Sequence, residues 1–383
     1  MPGECNLAAT AVRPRILLAD DQGTVVDALR LLLKQEGYET DAVSRPGEVI
    51  SALQARNYDL VLMDLNYTQD TTSGREGLDL LTRIHQLEKD VPLVVMTAWG
   101  SMDLAIEAMR RGARDFIQKP WNNQDVLEAL RAQISEHGRR LRHNQQWEQE
   151  ISEAREIQQH LLARPVTQLR GFDICASSRP ARPLGGDYFE IAKLSDDQAA
   201  MCIADVAGKG IGAALLISSL QAMLRSLRGF SPAAICRELN RTLCQIAPPG
   251  KFVSFFCCRL DQAERRLVYC NAGHNPPILV RQDGSVLRPE SSDAVLGYFP
   301  DWSYHERAID IGAGDRLILF TDGMTEAFDE EGAEFGDERL VRLATAHRQQ
   351  DAASLHRKLT AAVLTHCDGR PQDDATLLVL AAR

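Results

Sequence analysis

The chain has no stretch that reads as a membrane span. Its longest uncharged run, "GIGAALLISSLQAML", is too short to cross a bilayer and carries serines and a glutamine. It has no secretory leader pattern, because "MPGECNLAATAVRP" lacks a basic start followed by an apolar core. It is short of positive charge. Lys and Arg number 43 against 53 Asp and Glu, a net charge of −10. That balance is opposite to the basic field that nonspecific nucleic-acid binding needs. The 9 cysteines form no CxxC or Cys/His spacing of the zinc-site kind. They read as reduced core thiols, and the chain as cytoplasmic. Internal repeats and low-complexity tracts are missing too. What is present is ordinary globular composition, 44% hydrophobic and 25% charged over 383 residues. That length allows two domains with a core each, and a linker.

The first third alternates strand-like and helix-like segments. "RILLAD", "LVLMD" and "LVVMT" are short apolar runs, and "DFIQK" reads as a fifth strand. "TVVDALRLLLKQEG", "GREGLDLLTRIHQLE" and "DLAIEAMRRG" have apolar residues at helical spacing. This alternation indicates a parallel sheet with helices on both faces. From about Asn122 to Arg164 the strand signal stops. Leu127, Leu130, Ile134 and Leu141, then Ile151, Ala154, Gln158 and Leu161, stand at three-four spacing, with a polar patch at His143–Gln146 between them. The segment reads as a solvated connecting helix or as a parallel coiled coil joining two copies. Pro165 is its stop. From about Val166 the strands come in pairs, such as "FVSFFCCRLD" with "RLVYCNAG". "PPILVRQD", "RLILFTDG" and "ATLLVLAA" read as further strands. Two long helices, "GIGAALLISSLQAMLRSL" and "SPAAICRELNRTLCQI", interrupt them. The expectation is a layered α+β domain with antiparallel sheets.

In an open parallel sheet, functional groups gather at the carboxyl ends of the strands. Here those ends carry Asp20, Asp21, Asp64, Thr97 and Lys119. Three acids at one edge do not all stay ionised without a cation among them. Oxygen ligands select a hard ion such as Mg²⁺. Lys119 and Thr97 suit a phosphoryl group on a carboxylate. The pieces "LLADD", "LVLMD", "VVMTA" and "FIQKPW", in this order, resemble the receiver domain of two-component response regulators over roughly residues 13–134. The resemblance implies a flavodoxin-like α/β fold with five parallel strands. It implies Asp64 as phosphoacceptor, Asp21 as chief Mg²⁺ ligand with Asp20 beside it, and the Asn66 carbonyl completing the site. It makes Thr97, Phe116 and Lys119 the switch residues, and a sensor histidine kinase the phosphodonor. The sequence departs from the family in one place: "NYTQDTTSGREG", with Asp70 in it, replaces the usual short Pro-containing loop. It reads as a tolerated surface insertion or a new contact.

The rear of the chain repeats the acidic theme. Asp187 follows two glycines in "PLGGDYFE". Asp205 ends a strand before the glycine-rich loop of "MCIADVAGKGIGAAL". Asp322 ends another strand in "LILFTDGMTEA", and Asp373 and Asp374 precede the last strand in "QDDATLLVL". Buried-edge acids are costly unless paired or metal-bound. No set of Lys or Arg lies near all of them in sequence, so a pair of hard divalent ions is the expected partner. Such a pair suits hydrolysis of a phosphoryl group by water, with no serine or cysteine nucleophile. "GGDYFE", "DVAGKG", "NAGHNPP", "FTDGMTEA" and "DDAT" resemble the PPM-type metal-dependent serine/threonine phosphatases of the bacterial SpoIIE/RsbU branch. The resemblance spans residues 185–376 and implies an αββα sandwich holding two Mn²⁺ or Mg²⁺. It implies that Asp205 bridges both ions, that Asp187 and the Val206 carbonyl hold one, and that Asp322 and Asp373 hold the other. Asp374 has no assigned role. His274 admits three readings: a group behind the ligands, a proton donor to the leaving serine, or a hairpin-turn residue. Arg182 reads as a phosphate contact or a solvated loop residue.

Together these readings divide the chain into a receiver at 13–134, a helical or coiled-coil linker at 135–165, and a phosphatase domain at 166–383. The implied protein is a response regulator whose output is a phosphoserine or phosphothreonine protein phosphatase, controlled by phosphorylation of Asp64. The branch implies a phosphorylated anti-anti-sigma-type (STAS) protein as substrate, and the linker a homodimer. The segment "EAREIQQHLLA" resembles the regulatory helix that precedes such domains. The alternative reading is a non-catalytic adaptor that binds a sigma factor or its regulator. It would fit a chain that had lost its ligand carboxylates, and here all are present. A DNA-binding regulator does not fit, because no basic recognition helix follows the receiver.

Overall fold

The computed structural model describes residues 13–67, 74–87, 90–97, 102–162, 169–290 and 293–383. Residues 68–73 of the long segment after Asp64, Asp70 included, lie outside the described residues, as does Pro165. The chain divides into two compact units, Met1–Glu148 and Gln149–Arg383.

The first unit holds five parallel strands: β1 (Arg15–Ala19), β2 (Glu39–Val43), β3 (Leu60–Asp64), β4 (Leu93–Thr97) and β5 (Asp115–Gln118). Their order is β2-β1-β3-β4-β5. Four helices, α1 (Gly23–Gln35), α2 (Pro46–Ala55), α3 (Arg75–His85) and α4 (Met102–Arg110), connect them, and a fifth, α5 (Asn123–Leu162), follows β5. Side chains of a strand alternate between faces, and here both faces are covered. Ile16 and Leu18 of β1 pack with Val26 and Leu29 of α1 and Val126 and Leu130 of α5. Leu17 and Ala19 join the opposite core with Val49 of α2 and Leu81 of α3. This explains the uninterrupted apolar runs; each fully buried leucine contributes roughly 1.5–3 kcal/mol. The edge strand β2, "ETDAV", has no fully buried residue and so carries no apolar run to read. Helix α5 is continuous, so the polar patch at His143–Gln146 does not break it. Its first turns belong to the core of the first unit through Val126 and Leu130.

The second unit contains β6 (Phe172–Arg179), β7 (Asp187–Lys193), β8 (Gln198–Val206), α6 (Ile211–Leu227), α7 (Pro232–Ile246), β9 (Val253–Asp261), β10 (Arg266–Ala272) and β11 (Ile278–Val280). After these come β12 (Val286–Leu287), β13 (Arg307–Asp310), β14 (Arg316–Phe320), α8 (Asp337–Ala346), α9 (Ala352–His366) and β15 (Ala375–Ala382). One antiparallel sheet has the order β13-β10-β9-β8-β7, the other β12-β11-β14-β15-β6. Alternation again sorts the side chains. Cys202, Ala204 and Val206 of β8 face α6 and α7. Met201 and Ile203 face the core between the sheets, where they meet Leu378 and Leu380 of β15. Leu377 and Val379 face the core shared with α8 and α9. The layers are therefore helix, sheet, sheet, helix. Among the described residues no helix is long and apolar enough to cross a membrane.

Candidate functional site

In the first unit the parallel sheet delivers its strand ends to one edge. Asp20, Asp21 and Asp64 each offer an oxygen there, all within 4.8 Å of one another. Lys119 Nζ donates to Asp20 Oδ2 and to Asp64 Oδ2, both at 2.8 Å. Asp20 Oδ1 accepts the Gln22 N–H at 2.8 Å, and Asp64 Oδ1 that of Asn66 at 3.3 Å. Burial pushes the Asp64 carboxyl above its ordinary range, against the pull of Lys119. Burial alone would lower the Lys119 ammonium, but its bonds to Asp20 and Asp64 outweigh this and raise it. The Oδ1 atoms of Asp21 and Asn66 are buried without a hydrogen-bond partner. A hard cation fits such a donor set: three clustered carboxylates, with an unsatisfied oxygen on Asp21. Thr97 is buried at the same edge, while Phe116 is exposed. Tyr67 was not singled out by the sequence. It lies buried beneath the site, its hydroxyl donating to the Ala19 carbonyl at 3.4 Å.

In the second unit the two sheets bring their acids toward one another from opposite sides, close enough to raise each other's pKa, although among the described residues no three of them offer oxygens all within 4.8 Å as the front acids do. Asp187 opens β7 and pairs in register with Asp205 near the end of β8. Asp322 follows β14, and Asp373 and Asp374 precede its antiparallel neighbour β15. Two threonines tie the sheets at this point: Asp187 Oδ2 accepts Thr321 Oγ1 at 2.8 Å and Thr376 Oγ1 at 2.6 Å. Asp187 Oδ1 is buried with no donor bonded to it, and the Asp187 carboxyl lies within hydrogen-bonding reach of that of Asp205. Glycine is obligatory beside Asp322, since a Cβ on Gly323 would collide with the Asp374 carbonyl.

The electrostatics are those of crowded carboxylates. Burial, then the neighbouring Asp205, holds Asp187 well above the carboxylate range. Burial, then Asp322 and Asp373, pushes Asp205 up to about 7. Burial, then Asp373, pushes Asp322 up to about 6. Like charges so placed favour a bound cation, and the orphaned Asp187 oxygen points to the same chemistry.

The adjacent pair Asp373 and Asp374 divides its work. Asp374 is buried and accepts two backbone N–H groups, Ala181 at 2.7 Å and Gly186 at 2.6 Å. Asp373 instead pairs with Lys209 at 2.7 Å. Lys209 lies inside the glycine-rich loop "DVAGKG", where no sequence signal marks it out. The acids are therefore not without a cation, although only Asp373 has it as an ion-pair partner. His274 is fully buried, and burial lowers its pKa to about 4, so it is neutral. Its Nδ1 is 2.8 Å from Ser254 Oγ, and Ser254 lies opposite Asp205 in the β8–β9 register. Arg182 is exposed, its guanidinium beside Gly210. The Val206 carbonyl lies beside Gly186.

Comparison with known proteins follows this division. Residues 16–131 match the family model described as response regulator receiver domain. Residues 195–383 match that of stage II sporulation protein E, SpoIIE. The phosphoserine phosphatase RsbU of Bacillus subtilis (strain 168) is 33% identical over 240 residues, covering 62% of this chain and 71% of RsbU. RsbP of the same organism, also named a phosphoserine phosphatase, is 26% identical over 183 residues, with 46% of this chain and 45% of RsbP covered. The structure of the SiaA-PP2C domain of Pseudomonas aeruginosa superposes with a TM-score of 0.55 at 20% identity. It covers 62% of this chain and 98% of that one, and shows the shared fold. The class defined here is a response-regulator receiver joined to a PP2C-type phosphatase domain. Within that class, the chain belongs to the SpoIIE/RsbU family of phosphatases.

Proposed function

We propose that the chain is a cytoplasmic two-component response regulator whose output is hydrolysis of phosphoserine or phosphothreonine on a protein. In this reading a sensor histidine kinase supplies the phosphoryl group that Asp64 accepts. Asp20, Asp21, Asp64 and the Asn66 carbonyl hold one Mg²⁺, and Thr97 and Phe116 respond to phosphorylation. Lys119, already bonded to Asp64, offsets the added charge. Asp187, Asp205, the Val206 carbonyl, Asp322 and Asp373 hold two Mn²⁺ or Mg²⁺. Bound there, the ions supply Lewis acidity and an activated water. The chain's own groups do the positioning. Thr321 and Thr376 fix one oxygen of Asp187 and leave the other free. Ser254 and neutral His274 support the strand behind Asp205. His274 is better suited to this than to donating a proton, because a fully buried imidazole with a pKa near 4 holds no spare proton at neutral pH. Arg182, exposed beside Gly210, and Lys209, paired with Asp373, are the cations that would meet an arriving phosphoryl oxygen. The substrate class carried over from the family is an anti-anti-sigma-type STAS protein, and α5 joins two chains.

The observation that carries the reading is the convergence of acids from both sheets with a buried, unpartnered Asp187 oxygen. All ligand carboxylates are present, which favours the enzyme over the adaptor. The test is hydrolysis of p-nitrophenyl phosphate and of a phosphorylated STAS protein with Mn²⁺ or Mg²⁺. Metal-dependent turnover is expected, with Asp205→Asn losing it while Asp64 still takes up phosphate. Turnover independent of metal, or equal turnover in the variant, would overturn the assignment.

A further inference from the structure

Gln158 sits in the last turns of α5, on the face turned into the second unit. It is only 7% exposed, whereas its neighbour Ile157 is 55% exposed. Its amide meets one residue twice. Nε2 donates to the Gly185 carbonyl at 2.8 Å, and Oε1 accepts the Gly185 N–H at 3.2 Å. A neutral side-chain amide is the group that offers donor and acceptor at this spacing, and this pairing is the one a neighbouring strand would make.

Gly185 is two residues before Asp187. The next residue, Gly186, gives its N–H to Asp374 Oδ2 at 2.6 Å, and its carbonyl accepts the Val206 N–H at 3.3 Å. A Cβ on Gly185 would stand 3.2 Å from Asp374 Oδ2, and one on Gly186 3.0 Å from Ala213 Cβ of α6. The backbone that leads into Asp187 is therefore gripped by α5, by α6 and by the segment before β15. The end of α5 is itself anchored in this unit. The Leu161 carbonyl accepts Gln221 Nε2 at 3.1 Å, and Leu162 packs on the core of α6 and α7. Of these grips, Gln158 is the one made by side-chain hydrogen bonds from outside the two sheets and their acids.

We infer that Gln158 is a positioning residue for the metal site, holding the backbone at Gly185 so that the free oxygen of Asp187 faces the ions. The inference rests on the reading of the acids as a metal site. Gln158 touches neither ion nor substrate; it acts through the Gly185–Gly186 backbone. Groups that orient metal ligands from behind alter affinity by about 10–100-fold when lost.

The test uses the full chain. Gln158→Met keeps the volume and loses both hydrogen bonds; Gln158→Asn keeps an amide too short to span both Gly185 groups. Gln159→Met, at the exposed neighbouring position, is the control. Mn²⁺ affinity is measured by calorimetry, kcat and KM with p-nitrophenyl phosphate, and melting without metal. Expected is an affinity for Mn²⁺ about tenfold weaker in both Gln158 variants, an unchanged KM, and a kcat that recovers toward wild type at excess Mn²⁺. The control should match wild type. Should the methionine variant not fold, the asparagine variant decides. A folded Gln158 variant with Mn²⁺ affinity within about twofold of wild type would overturn the inference and leave Gln158 a packing residue, as would a lowered melting temperature alone. A wild-type chain that binds no Mn²⁺ would overturn the metal reading itself.

Discussion

Asp205 and Asp322 have pKa values pushed to about 7 and about 6, first by burial and then by the neighbouring acids, Asp322 and Asp373 for the one and Asp373 for the other. The consequence has a definite sign. An unfolded carboxylate titrates near about 4. Between that pH and about 7 the folded, metal-free unit therefore binds more protons than the unfolded chain. Its stability falls as pH rises through this window. An ion must displace the same protons, so affinity moves the other way. Mn²⁺ binding measured by calorimetry should be about tenfold or more weaker at pH 5.5 than at pH 8, with proton release on binding. Equal affinity at the two pH values would remove Asp205 and Asp322 from the ion site. The pair Asp373 and Asp374 shows that adjacent identical residues need not share a role. Asp374 is consumed by two backbone N–H groups, while Asp373 keeps its carboxylate at the mouth with Lys209.

Helix α5 is the element that departs most from an ordinary connection. It runs for 40 residues, and every residue from Leu141 to Glu150 is exposed. Leu141, Trp147, Ile157 and Leu161 leave large apolar surface open along it. A helix exposed on all sides gains little from propensity alone, and a second copy of the same helix would cover the apolar positions. Gln158, read from sequence as part of that seam, is instead used within the second unit. The expected outcome in light scattering is a particle of twice the 42.5 kDa chain mass, reduced to a monomer by Leu141→Glu with Trp147→Glu. A monomer in the wild type, with and without beryllofluoride, would sink the dimer.

At the scale of the whole molecule, the proposed function gives the two acid clusters opposite tasks. On the proposed reading, one accepts a phosphoryl group on Asp64 and the other removes one from a second protein. If the first governs the second, a small phosphodonor such as acetyl phosphate should change kcat of the wild type toward p-nitrophenyl phosphate. Asp64→Asn should keep the basal rate and lose the response. A response that persists in the variant would place the control elsewhere.

Much of this was legible in the amino-acid order. Parallel strands buried on both faces write themselves as apolar runs, and turns at their ends collect Asp and Gly, so the strand-end acids of both units stand out in the sequence. β2 does not, because an edge strand needs no apolar run, and α8 and α9 passed unremarked among the strand signals. Tertiary structure alone decided the rest. Lys209 meets Asp373 across 164 residues, Asp374 reaches back to Gly186, and Gln158 closes on Gly185. Such pairings depend on which strand ends the two sheets bring together, and spacing along the chain carries no record of that.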